Sequence, residues 1–182
     1  MKIYDSWHDS KNSHYYYRSC GSDFGSATCG MTRSLCLAAI LCGHVAGGEQ
    51  SGEPGHGTAE RTYSFFLNDR FLQVNNTSTY PPQAKNRTGE THHDMGMIGY
   101  DKARKKFVFR QFHVEGFVNT YVQEDSDDAK KIVFVSESIE NIAPGWRARE
   151  TYLILNENEF IERFELAEPG KGFALYSEAH LK

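Results

Sequence analysis

The side chains best suited to chemistry are histidines, and three of them can be brought to one place. In an extended chain, residues two apart share a face. The stretch THHDMGM therefore puts His92 and Asp94 on one side and His93 on the other. His113 lies in the next apolar run, and antiparallel pairing of the two runs would bring it alongside. Two imidazoles and a carboxylate could ligate a metal ion, or serve as acid and base in an enzyme built on His92, Asp94 and His113. The commoner fate of such histidines is a hydrogen-bonded or surface position. His180 alternates with Tyr176 and Glu178 near the chain end and is a further candidate ligand. The sequence carries no GxSxG, HExxH or P-loop pattern.

Other segments also mix polar with apolar residues on one face. KFVFRQFHV aligns Phe107, Phe109, Gln111 and His113, and FVNTYVQ aligns Phe117, Asn119 and Tyr121. WRARETYLIL aligns Trp146, Ala148, Glu150, Tyr152 and Ile154. A barrel filled by its own side chains should show one aliphatic face per strand. Interleaved polar and aromatic groups instead suit a lumen that holds a ligand. The directing groups expected from this reading are His92, Asp94, Gln111, His113, Asn119, Tyr121, Glu150, Tyr152 and Arg163. Arginine and tyrosine among them could anchor a ligand carboxylate. The competing reading is a satisfied polar network or a solvated outer face.

The elements that must position these residues read as strands from Gly47 onward. Alternating runs bounded by turn signals are expected at 58–67, 70–77, 91–100, 106–114, 117–123, 131–138, 146–155, 160–166 and 173–181. GGEQSGEPGHG reads as a turn-rich lead-in, and TYPPQAKNRTGE as the longest loop. Nine short strands with short connections imply an antiparallel meander, and a long meander closes to remove its edges. The expected fold is all-β: an antiparallel up-and-down β-barrel of about nine to ten strands, of the calycin or lipocalin-like kind. A two-sheet sandwich would need longer crossovers.

Composition bounds the rest. The chain has 182 residues, 39% hydrophobic and 24% charged, with a net charge of −4. That suits one sizeable core and gives no basic stripe for nucleic acid. It also holds no apolar run long enough for a membrane-spanning helix. All four cysteines (Cys20, Cys29, Cys36 and Cys42) precede residue 43, without a CxxC pair, so zinc and thioredoxin-type chemistry lack support. Residues 1–46 read as a poorly ordered or signal-like extension, and residues 47–182 as the ligand-binding barrel. Within the extension, MTRSLCLAAILCGHVA has the basic start and short apolar core of a signal peptide. The expected location is cytoplasmic, or secreted or periplasmic if residues 31–46 act as that signal. A monomer or homodimer is expected.

The segments PGHGTAERTYSFFLNDRFLQVNNTSTYPP, ETHHDMGMIGYD and FRQFHVEGFVNTYV follow one another in an order that resembles the nitrobindin-like and fatty-acid-binding-protein-like barrels, within the lipocalin-like group. Gly55-His56-Gly57 matches the end of the nitrobindin opening Gly-x-Trp-x-Gly-x-Gly, with Glu53 where the Trp is expected and Ser51 where the first Gly is. His180-Leu181 matches its closing His-Leu. The resemblance implies a barrel of about ten strands binding a hydrophobic small molecule, lipid-like or haem-like, at one end. It also implies, as an alternative, haem b on His180, nitric oxide binding at ferric iron and isomerisation of peroxynitrite.

Overall fold

The computed structural model describes residues 43–51, 55–84 and 86–182. The expected leader, with its four cysteines, falls on residues 1–46, of which 1–42 lie outside the described residues. Ten antiparallel strands follow in order: β1 (Gly43–Ser51), β2 (His56–Phe66), β3 (Phe71–Tyr80), β4 (Glu90–Asp101), β5 (Lys106–His113), β6 (Val118–Gln123), β7 (Lys131–Glu140), β8 (Arg147–Asn156), β9 (Glu159–Ala167) and β10 (Ala174–Leu181). Each pairs with its sequence neighbour, and β1 also pairs with β10, which closes an up-and-down barrel. Among the described residues no helix is long and apolar enough to cross a membrane.

The element that sequence patterning does not reveal is β1. Its glycines have poor strand propensity, so the segment reads as a lead-in of turns. It nevertheless pairs with β2 from Gly43↔Tyr63 to Gln50↔His56, and with β10 from Gly47↔Leu181 to Ser51↔Ser177. From Gly47 to Gln50 it is paired on both sides, which closes the barrel where nine strands would leave two open edges. The strand begins at Gly43, four residues before the expected start of the barrel.

The turns form where the turn chemistry lies. Leu67, Asn68 and Asp69 all take left-handed backbone between β2 and β3, the conformation that Asn and Asp tolerate best. Asp101 caps the β4–β5 turn by accepting the amides of Ala103 and Arg104 at 2.9 and 3.1 Å.

Along β2, β3, β5, β6, β8 and β9 the inward side chains change character near the middle. Toward one end the barrel is filled by Tyr63, Val74, Phe109, Tyr121, Tyr152 and Phe160. The rings pack edge-on or stacked, as in Tyr63–Phe160 at 6.2 Å and Phe109–Tyr121 at 5.5 Å between centroids. Gly96 makes room for this plug, since a Cβ there would stand 2.4 Å from Cε2 of Phe109 and 2.8 Å from the Arg110 carbonyl. The expected choice between a filled barrel and a hollow one is therefore settled differently at the two ends.

Candidate functional site

Above the aromatic plug, the same strands turn polar at nearly one level. Arg61 follows Ala59 inward on β2, Asn76 follows Val74 on β3, and Gln111 follows Phe109 on β5. Glu150 and Glu162 occupy the corresponding places on β8 and β9. All five are buried. Above this belt lies a cavity of about 360 Å³, whose lining includes Tyr80 and His92 beside the β3–β4 connection and Ile142 and Trp146 in the β7–β8 connection. One side of the cavity is apolar, formed by Phe117, Ile139, Trp146, Phe164 and Leu166; Ser78, Tyr80, His92 and Asp94 form part of the other.

Arg61 and Glu162 form a buried ion pair, with Nη2 donating to Oε1 at 2.9 Å and Nε at 3.0 Å. The remaining fork of the guanidinium donates to the Glu60 and Thr77 carbonyls and to the Ser78 hydroxyl at 3.1–3.2 Å. Tyr63 donates its hydroxyl to Glu162 Oε2 at 3.2 Å. Burial disfavours the Arg61 charge, but the adjacent Glu162 carboxylate outweighs it and holds the guanidinium above its ordinary pKa. Burial, reinforced by Glu162, pushes the Tyr63 phenol up. A pair this enclosed organises the belt more than it adds net stability.

Strand register builds the second cluster. Asn76 lies opposite Asp94 across β3–β4, and Asp94 lies opposite His113 across β4–β5. Asp94 Oδ1 accepts Asn76 Nδ2 at 2.7 Å and Gln111 Nε2 at 2.6 Å. Burial nevertheless dominates and raises its carboxyl to about 6, against the lowering by Gln111 and Arg61. His113 stacks on Phe117 at 4.0 Å, and burial pushes its pKa down to about 4. Asn119 Nδ2 donates to His113 Nε2 at 3.1 Å and to the Tyr121 hydroxyl at 2.7 Å.

At the rim, His92 pairs through Nδ1 with Glu115 and lies 3.5 Å from Glu90 through Nε2. Burial alone would lower its pKa, but the hydrogen bonds and charges of the two glutamates raise it. Glu115 is lowered despite its own burial, by a backbone hydrogen bond and by His92.

Of the side chains expected from sequence, His92, Asp94, Gln111, His113, Asn119 and Glu150 line the cavity together. His92, Asp94 and His113 are each held by different partners. Among the described residues no group of three or more His, Cys, Asp or Glu is arranged to hold a metal ion. Tyr121 and Tyr152 point inward but belong to the plug beneath. Arg163 lies on the outer face, donating from Nε to Glu178 at 2.5 Å; it is Glu162, one residue earlier, that shares the inward face of Phe160. His180 also faces outward, 46% exposed and 2.7 Å from Glu159, between the buried Ala179 and Leu181. A bulge between Leu175 and Ser177 breaks the expected alternation on β10. Tyr176 therefore reaches the cavity while Glu178 and His180 do not. A haem ligated by His180 does not fit this arrangement, because the imidazole stands on the far side of the wall from the lumen.

Sequence reasoning missed Arg61, Asn76, Ser78, Glu115 and Glu162. The available signal was alternation: Arg61 lies between Ala59 and Tyr63, and Glu162 between Phe160 and Phe164, all inward-type residues.

No protein-family model matches the chain, and no curated protein matches it. Among solved structures it is similar to the crystal structure of Rv2717c from M. tuberculosis, with a TM-score of 0.60 and 17% sequence identity. The likeness covers 81% of this chain and 95% of that one. At this identity it shows a shared barrel fold and nothing finer.

Proposed function

We propose that the protein binds a small hydrophobic molecule with one polar end in the open half of its barrel. The carrying observation is the cavity of about 360 Å³, which sets an aromatic and aliphatic wall over a belt of polar side chains. Its size falls in the usual range of about 300–1,000 Å³ for small-molecule sites. The plug below closes one end of the lumen, so the ligand enters past Tyr80, His92 and Trp146. The polar belt fixes which end of the molecule goes down, and the wall of Phe117, Ile139 and Phe164 takes its apolar part. Titration with N-phenyl-1-naphthylamine, a neutral lipophile that brightens in apolar surroundings, tests the proposal. Saturable brightening is expected, and Leu166→Trp, which fills the cavity, should weaken it at least tenfold. Absence of brightening in the folded protein contradicts the proposal.

A further inference from the structure

We propose that the belt selects a ligand whose polar end is a cationic amine, with Asp94 as the group that receives the ammonium, rather than a carboxylate. This rests on the binding function proposed above and specifies its ligand class. A buried arginine could anchor an anionic head, but the hydrogen bonds of Arg61 point elsewhere. Its guanidinium is already committed to Glu162, to Ser78 and to two backbone carbonyls. Among the described lining residues Arg61 is the single arginine or lysine, against four carboxyl groups, those of Asp94, Glu115, Glu150 and Glu162. At the rim, His92 is already partnered by Glu115 and Glu90. Nε2 of His113 is already within 3.1 Å of the Asn119 amide. An entering carboxylate would therefore lose its hydration and meet mostly acceptors.

A second observation concerns the amides. Asp94 accepts the side-chain nitrogens of both Asn76 and Gln111, which fixes each amide with its oxygen turned away from the carboxylate. Asn119 sits between His113 and Tyr121, with Nδ2 3.1 Å from Nε2 of the first and 2.7 Å from the hydroxyl of the second. The oxygens Oδ1 of Asn76, Oε1 of Gln111 and Oδ1 of Asn119 are buried without a hydrogen-bond partner. These three side chains are only 7%, 3% and 1% exposed, and all three line the cavity. Buried carbonyl oxygens without a donor, close to the Asp94 carboxylate, make this part of the barrel favour a cation over an anion. Asp94 is the half-buried member of this cluster, so it is the one a ligand can touch. Burial has raised its carboxyl, and a bound ammonium would return it to the ionised form.

Competition at neutral pH between octylamine, octanol and octanoate, which share one tail, tests the head group against bound N-phenyl-1-naphthylamine. The expected result is displacement by octylamine at a concentration at least tenfold below that needed for octanoate, with octanol between them. Asp94→Asn, checked for folding by circular dichroism, should cut the amine-to-carboxylate ratio to threefold or less. Octanoate displacing the dye as well as octylamine does overturns the inference while leaving hydrophobic binding intact, and so does octanol matching octylamine. A folded Asp94→Asn that keeps the full preference overturns the role of Asp94. The wild-type ordering decides the head group even if that variant does not fold. If the dye does not bind and none of the three amphiphiles raises the melting temperature, the binding function itself fails, and this inference with it.

Discussion

Asp94 and His113 face each other across two strands, and burial pushes their proton affinities in opposite directions. Native Asp94 keeps its proton up to about 6, whereas the unfolded chain releases it lower. The native state therefore holds more protons across that window, and this contribution to stability is lost as pH rises through it. Native His113 refuses its proton until about 4, whereas the unfolded imidazole takes it near neutral pH. That contribution is present above the unfolded value and is lost as pH falls. Each slope is at most about 1.4 kcal/mol per pH unit. Between about 4 and 6 the two oppose one another. Urea unfolding across this range should show Asp94→Asn gaining stability with rising pH more steeply than the wild type. His113→Gln should show the reverse tilt. Parallel profiles for the two variants would mean that the carboxyl and imidazole are not buried as described.

The strand is the scale at which sequence was most informative, and also where it misled. The hairpins from β2 to β9 were legible because apolar alternation and Asn-Asp, Asp or Gly turns lie side by side in the chain. β1 was not, because what holds it is pairing with two strands remote from its own composition. Arg163 and His180 were misplaced for a related reason. A strand side chain changes sides with a single-residue step, and the β10 bulge that turns Tyr176 inward leaves no mark in the sequence. Conversely, the meeting of Asp94 with His113 could be anticipated, since their strands share a short turn. Close packing within an element gives a direct test at Gly96. Alanine there would press on both the Phe109 ring and the Arg110 carbonyl. We expect Gly96→Ala to lose about 1–3 kcal/mol, with part returned by adding Phe109→Leu. Gly172→Ala, which meets nothing within 4 Å, should be close to neutral. Equal stability of the two alanine variants would remove the argument that Gly96 admits the plug.

The described barrel divides along its axis into a packed half and an open half with a cavity. This division was only half legible. Interleaved polar and aromatic residues pointed to a lumen with contents, but not to a level at which several strands turn polar together. That level is set by registers such as Asn76↔Asp94 and Gln111↔Asn119, which no single strand encodes. It also gives the barrel two apolar places where a lipophile could go. One is the wall above the belt, and the other is the exposed group of Phe66, Leu67, Phe71 and Tyr100 at the closed end. The most direct test is a ¹H–¹⁵N spectrum recorded as N-phenyl-1-naphthylamine is added. The account predicts shifts in the side-chain amides of Asn76, Gln111 and Asn119 and in the Trp146 indole N–H, with the backbone amides of Leu67 and Phe71 unmoved. Shifts confined to Leu67, Phe71 and Tyr100, with the belt amides unchanged, would contradict it.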